Sequence, residues 1–297
     1  MTSRRRRIDG VLLLNKPAGI TSNGALQHVK RLFSAQRAGH TGTLDPMASG
    51  LLPVCLGEAT KFAGELLASE KRYLARLRLG ERTDTGDAEG SVIERREVRV
   101  SRAQFLAALE RFRGDGEQVP PMYSAIKHRG RPLYEYARKG QAIERAPRPV
   151  SISAIELLSF EGREGLLELA CSKGTYVRVL AENVGEALGC GAHLCGLVRT
   201  GVGSLRLEQA HSLEELAAIE EDRRCALLLP VDFLLQDYPA ISLAGAVALR
   251  FRHGEEVPHG AVPAGRVRVY GPGGAFLGMA TTGTEGTLRP QRLVRED

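Results

Sequence analysis

The sequence predicts an α+β protein: a mixed sheet flanked by helices, with a small all-β unit at its C-terminal end. Three observations point to that class. Helix and strand periodicities alternate irregularly, without the regular βαβ order of a doubly wound sheet. No Gly-x-Gly-x-x-Gly string follows a strand, so a dinucleotide-binding fold fits less well. Past Pro239, glycine and proline become frequent and short alternating strands take over. A chain of 297 residues has room for one large domain and one small one.

Val11–Leu14 reads as a short buried strand that stops at Lys16-Pro17-Ala18-Gly19. Thr21 or Ser22 then caps a helix with Leu26, Val29, Leu32 and Phe33 at helical spacing. Residues 39–57 follow, GHTGTLDPMASGLLPVCLG, with one carboxylate among glycines. Pro46 biases Asp45 away from the helical region, which places the acid on a loop. Gly39, Gly42 and Gly50 permit positive φ and the close approach of a bulky partner. The apolar run Leu51–Leu56 anchors the loop in a core, and Glu58–Leu67 reads as a helix.

Tyr73, Ala75, Leu77 and Leu79 share one face of a strand whose other face carries Arg76 and Arg78. Thr83–Gly90 (TDTGDAEG) is a polar turn before a second strand, Ser91–Val98. Ser101 and Gln104 form a capping box for a helix that buries Phe105, Leu109 and Phe112. Residues 114–149 hold five prolines, a basic cluster (Lys127, His128, Arg129, Arg131) and three tyrosines, and read as an excursion from the domain surface. Strands near 150–159 and 165–171 lead to a helix from about Thr175 to Leu188, ended by Gly189. Ser212 and Glu215 form another capping box. A short helix, Leu243–Phe251, precedes strands around Val267–Tyr270 and Ala275–Met279.

Composition narrows the function. No apolar run approaches the roughly 18–20 residues that span a bilayer. Only Val11–Leu14 follows Arg4–Arg7, too short a stretch for a signal peptide, so a cytoplasmic protein is expected and the arginine run reads as a solvated tail. Five cysteines at irregular spacing argue for reduced thiols and against disulfides. The net charge is +6, and 34 of the 41 basic residues are arginine. Arginine's planar fork matches phosphate and stacks on bases, which leans toward nucleic acid, although a compositional bias toward arginine would look the same.

Four segments are candidates for chemistry. Asp45 needs a cation to orient it, and Arg178, at the start of a helix after CSKGTY, supplies one. Spacing alone does not pair the two. Cys190, His193 and Cys195 lack the second ligand pair of a zinc site and fit a helix-end turn with buried thiols, so no metal is expected. Tyr73 and Tyr176 could stack on a base or simply belong to the core. Gly57–Lys61 lacks the spacing of a phosphate-binding loop.

Taken together, seven strings resemble the bacterial tRNA pseudouridine synthase B family: Gly10–Thr21, Gly39–Lys61, Lys71–Tyr73, Thr83–Gly90, Pro121–Lys127, Cys171–Arg178 and Gly189–Leu197. They run in the expected order over some 190 residues. The resemblance implies the pseudouridine-synthase fold, with a catalytic domain over 1–236 that contains an RNA-clamping insertion (114–149), and a PUA-like RNA-binding domain over 237–297. It implies isomerisation of uridine 55 in the T loop of tRNA, without a cofactor, by a protein expected to be a monomer with no obligate protein partner. By the same resemblance, Asp45 is the catalytic aspartate and Arg178 its partner. Tyr73 stacks on the flipped base, and His40 displaces the T-loop stack. Tyr176 and Leu197 line the uracil pocket, while Lys16 and Lys61 are expected to bind substrate. Two residues depart from the pattern: Asn15 stands where many members have Asp, and Val198 where an Arg often follows the pocket leucine, which puts one phosphate contact in doubt. A non-catalytic tRNA-folding factor using the same cleft is the alternative.

Overall fold

The computed structural model describes residues 5–260, 264–283 and 286–295. Its first elements are β1 (Gly10–Lys16), α1 (Ser22–Leu32), β2 (Ala38–His40) and β3 (Ser49–Leu56). Thr21 is the N-cap of α1, its side chain accepting from the Gly24 amide at 2.9 Å. Next come β4 (Lys71–Leu79), β5 (Glu81–Thr83), β6 (Val92–Arg95), α2 (Arg102–Glu110) and β7 (Gly114–Gln118). A small hairpin, β8 (Lys127–His128) and β9 (Arg131–Pro132), leads into α3 (Leu133–Ala137). Then follow the long strands β10 (Arg148–Glu161) and β11 (Glu164–Cys171), the helix α4 (Val177–Ala187) and β12 (Ala192–Val202). Short elements close this part: β13 (Leu205–Arg206), β14 (His211–Ser212), α5 (Leu213–Ala218) and α6 (Glu221–Arg224).

The central sheet runs β14-β1-β3-β12-β4-β11-β10-β7, with β2 added to β3 and β13 to β12. Only β1/β14 and β3/β12 pair in parallel, so the sheet is mixed and largely antiparallel. Tyr73, Ala75, Leu77 and Leu79 pack with α2 and α4 in one core, while Arg72, Arg76 and Arg78 face outward, as the alternation predicts. β1 and β3 are buried on both faces. Leu12, Leu14, Leu52 and Val54 pack against α1 and α5, and Val11, Leu13, Leu51 and Cys55 pack against the segment around Leu205 and Leu234. This explains why both strands read as continuous apolar runs.

Past Pro239 the chain forms a second sheet, ordered β15 (Ala240–Ser242), β17 (Arg266–Tyr270), β18 (Phe276–Thr282), β19 (Thr287–Leu293) and β16 (Val257–Pro258). The helix α7 (Gly245–Arg252) closes its core through Ala248 and Phe251. Phe62, Leu235 and Met279 form an apolar bridge to the first part of the chain. Beside it, Arg266 makes two 2.8 Å bonds to the Glu65 carboxylate.

Several expectations need correction. Glu58–Leu67 is not one helix but two 3₁₀ turns, Gly57–Phe62 and Glu65–Ala68; Asp9 accepts from the Glu58 amide at 2.6 Å, and Gly64 interrupts the run. The strand expected over Ser91–Val98 pairs only across Val92–Arg95, and Phe112 lies beyond the end of α2, half-buried. Residues 114–118 do not leave the surface: they pair with Arg148–Ile152 as the sheet's edge strand, so the excursion is confined to residues 119–147. The expected helix-end turn holds at residues 188–191, where Cys190 is buried, but residues 192–195 already belong to β12, the strand between β3 and β4, and Cys195 is only half-buried. Arg4 lies outside the described residues, but residues 5–7 are no free tail. The Arg6 amide donates to the Ser34 carbonyl at 2.6 Å, and Arg7 donates to the Arg295 carbonyl.

Candidate active site

Asp45 lies on the loop between β2 and β3, where its carbonyl accepts from the Ala48 amide in a turn begun by Pro46. Neighbours pin this loop from below. The Ser22 hydroxyl accepts from the Leu44 amide at 2.8 Å and donates to the Leu44 carbonyl at 3.0 Å. The Gly19 amide donates to the Pro46 carbonyl at 2.8 Å. Gly42 and Gly50 adopt φ of +86° and +104°, as their placement predicts; Gly39 does not and belongs to β2.

The cation comes from α4. β11 ends at Cys171, Gly174 turns the chain at φ +82°, and Tyr176 is the N-cap residue. Gln118 at the end of β7 holds this helix start, accepting from the Tyr176 amide at 2.9 Å. Arg178 is 3% exposed, and every face of its guanidinium is engaged. Nε donates to Asp45 Oδ2 at 2.9 Å and stands 3.4 Å from Asp87 Oδ2. Nη1 donates to the Thr85 carbonyl at 3.1 Å and Nη2 to the Tyr123 carbonyl at 2.8 Å. One side chain thus joins the Asp45 loop, the 83–90 turn and the excursion. Asp87 is held in turn by the Thr85 hydroxyl at 2.6 Å and the Glu89 amide at 3.1 Å.

These neighbours shape the charge state of the site. Burial pushes the Asp45 carboxyl above its usual range; Arg178 pulls against the rise and the Asp87 charge adds to it. Burial and the two aspartates also raise Glu89. Burial lowers His40, with the Arg199 charge acting in the same direction, so its imidazole favours the neutral form.

A cavity of about 470 Å³ opens over the pair. Asp45, Asp87 and Arg178 line its base, His40 and Thr43 one wall. The excursion contributes Tyr123, Ser124, Tyr134 and Arg138. Among the described residues the Ser124 hydroxyl and His40 Nδ1, both buried, have no hydrogen-bond partner, as groups awaiting a polar ligand would be.

The structure brings most of the expected residues together, in different roles. Asp45, Arg178 and His40 share the cavity. Tyr73 and Leu197 lie beneath it, packed in the same core as Leu44 and Ala48. Tyr176 is half-buried at the start of α4, where Gln118 holds its amide. The two lysines do not reach the cavity. Lys16 is fully buried, and its ammonium donates to the carbonyls of Pro17 and Ile20 at 2.8 Å and of Pro46 at 3.4 Å. Lys61 bonds Glu58 at 2.6 Å and the Leu293 carbonyl at 2.7 Å, tying the first part of the chain to the C-terminal sheet. The Lys16 ammonium is taken up by three protein acceptors and the Lys61 ammonium by two, so neither stands in the cavity as the expected substrate contacts would.

Among the described residues no group of three or more His, Cys, Asp or Glu could hold a metal ion. His193 is buried and bonds the Glu81 carbonyl instead. Sequence reasoning missed Asp87 and Arg199. Asp87 carried a signal, an acid in a glycine-flanked turn, but Arg199 looked like any strand arginine.

Residues 30–177 match the family model described as TruB family pseudouridylate synthase (N terminal domain). Residues 178–236 match the tRNA pseudouridylate synthase B C-terminal domain, and residues 239–294 match Pseudouridine synthase II TruB, C-terminal. The chain is 54% identical over 297 residues to the tRNA pseudouridine synthase B of Burkholderia mallei (strain NCTC 10247), covering 98% of both chains. It is 54% identical over 294 residues to that of Thiobacillus denitrificans, covering 99% of this chain and 98% of the relative. In shape it is similar to a chain of a Cbf5-Nop10-Gar1 complex, with TM-score 0.72 and 25% identity over 96% of this chain and 84% of that one. A chain of an archaeal box H/ACA sRNP Nop10-Cbf5 complex shares the fold at TM-score 0.70 and 23% identity, over 98% and 86% of the two chains.

Proposed function

The chain belongs to the TruB family of pseudouridylate synthases, and from that premise we propose how its site carries out the reaction and on which uridine. The protein is an enzyme of tRNA modification that converts uridine to pseudouridine. The target in this reading is uridine 55 in the T loop. The observation that carries the reading is the Asp45–Arg178 pair at the base of a cavity roofed by the excursion.

A nucleotide extruded from its stack enters that cavity at a cost of a few kcal/mol, offset by contacts with the protein. The C1′–N1 bond breaks, the uracil turns, a C1′–C5 bond forms, the C5 proton leaves and N1 gains one. No electrons are exchanged with another group. Asp45 is the reacting carboxylate, with three routes open to it: attack on C1′, attack on C6, or abstraction of the C2′ proton. Arg178 keeps Asp45 oriented and favours its charged form. His40 enters the gap left by the extruded nucleotide, Tyr73 stacks on the base and helps move a proton, and Tyr176 and Leu197 line the uracil pocket. With water excluded, the intermediate is protected from hydrolysis.

The reading extends to organisation. Residues 1–236 form the catalytic domain, the excursion within it, residues 119–147, clamps the RNA, and residues 237–297 form a PUA-like RNA-binding domain. The enzyme works as a cytoplasmic monomer without an obligate protein partner. Against a purely remodelling role stands the cost of burying Arg178 between two acids, which RNA folding alone does not require. Tritium release from 5-tritiated uridine in a T-arm hairpin tests the reading. Release that stops when uridine 55 is replaced supports it; tRNA binding without release would favour the remodelling factor.

A further inference from the structure

Arg199 heads the largest fully buried side chains of the described residues, at 1% exposure. It lies in β12 directly across from Tyr73 of β4 and, on the other side, from Gly50 of β3. Directly opposed residues share a face of the sheet, which brings the guanidinium to the Tyr73 ring. We propose that Arg199 is a positioning residue for the isomerisation, fastening the Asp45 loop and the Tyr73 phenol to one strand so that both face the base in register. The inference rests on the reading above, in which Asp45 and Tyr73 act on the uracil.

The contacts of Arg199 carry the argument. Its Nε donates to the Leu51 carbonyl at 2.7 Å, just past the Asp45 loop. Nη2 donates to the Gly42 carbonyl at 3.3 Å, and Nη1 lies 3.5 Å from the Thr43 carbonyl, three and two residues before Asp45. Tyr73 is the cross-strand neighbour of Arg199, so the cation lies beside the phenol and acts on its charge. One rigid fork therefore grips both ends of the catalytic loop from the position opposite Tyr73. The backbone permits this only through Gly50. A methyl group there would stand 2.4 Å from the Arg199 carbonyl oxygen, so the two strands approach this closely only at a glycine.

Electrostatics separates this role from ordinary packing. No ion pair to Arg199 occurs among the described residues, and the Tyr73 phenol is the acidic group that offsets its burial. A buried cation without a counter-charge is costly, whereas Leu or Met would fill the position at no such cost. Proteins keep expenses of this kind where a site needs them. The charge also acts outward: burial raises the Tyr73 phenol and Arg199 opposes that rise, while on His40 it adds to burial in favouring the neutral form.

The test is steady-state turnover of a T-arm hairpin by the full chain carrying Arg199→Met, Arg199→Lys, Tyr73→Phe, or Arg199→Met with Tyr73→Phe. Hairpin affinity by filter binding and thermal unfolding accompany each variant. In Arg199→Met we expect kcat to fall about 100-fold, the cost of a small misplacement, with affinity unchanged. Arg199→Lys keeps the cation and the fold and should recover part of the rate; if the Met variant does not fold, a loss of about tenfold in Lys carries the test. The Met substitution should cost less in the Tyr73→Phe background than in the parent, because the two residues act together. Parental kcat in a folded Met or Lys variant would overturn the proposal. So would equal costs in the two backgrounds, or weakened affinity with kcat intact. A parent chain that releases no tritium would refute the functional reading itself, and Tyr73→Phe at the parental rate would refute the role given to Tyr73.

Discussion

Arg178 Nε stands 2.9 Å from Asp45 Oδ2 and 3.4 Å from Asp87 Oδ2, so one buried guanidinium serves two carboxylates. Asp87 is almost wholly buried, while the Asp45 side chain keeps about a third of its surface open to the cavity. The inner acid anchors the arginine, and the outer acid is left accessible to a ligand.

Removing the arginine should therefore damage both fold and rate. Arg178→Ala leaves the Asp87 charge buried without a partner and should cost about 3 kcal/mol of stability, read from urea unfolding. It should also lower kcat severely. Arg178→Lys keeps the charge but not the fork, and should fall between. An unchanged unfolding midpoint in Arg178→Ala would show that the pair contributes nothing to the fold.

The pH dependence follows from the raised Asp45. Burial holds this carboxyl above the usual range, and the reaction needs it ionised. Activity should accordingly disappear, as pH falls, at a higher pH than for an ordinary aspartate, and Asp87→Asn should move that acid limb lower by removing a like charge. Stability runs the other way. A carboxyl whose folded pKa exceeds its unfolded value contributes stability below the unfolded pKa and loses it as pH rises through the folded one. Asp45→Asn, which mimics the protonated form, should then be more stable than the parent at neutral pH, with the difference closing in acid. Melting curves at the two pH values check this.

Lys16 offers a test of a role the sequence suggested and the geometry reassigns. Its ammonium is spent on three carbonyls, Pro46 among them, and burial lowers its pKa to about 8. Lys16→Met should loosen the Asp45 loop and lower kcat about tenfold. Affinity for tRNA and its salt dependence should stay as they are, since no phosphate contact is lost. A salt slope smaller by about one would mean that Lys16 touches the backbone of the RNA.

Local patterns made much of this molecule readable. The Tyr73–Leu79 alternation, the capping boxes at Ser101 and Ser212, and Pro46 after Asp45 each act within a few residues, and each took its expected form. β12 was not readable, because Gly196 and Gly201, with Cys190 and Gly191 just before, resemble a turn, and its strand character comes from pairing with β4. Asp87 and Arg199 acquire their roles from partners in other segments, which spacing does not encode. The lysines misled for a related reason. A lysine in a basic RNA-binding chain suggests a phosphate contact, yet Lys16 sits where three backbone carbonyls converge and Lys61 between the Glu58 carboxylate and the Leu293 carbonyl.

The central claim is that Asp45 carries the chemistry while the rest of the cavity carries binding. Tritium release from 5-tritiated uridine in a T-arm hairpin, measured with Asp45→Asn beside the parent, tests it most directly. The account predicts no release above background by a variant that binds the hairpin as tightly as the parent does. Release near the parental rate would contradict it.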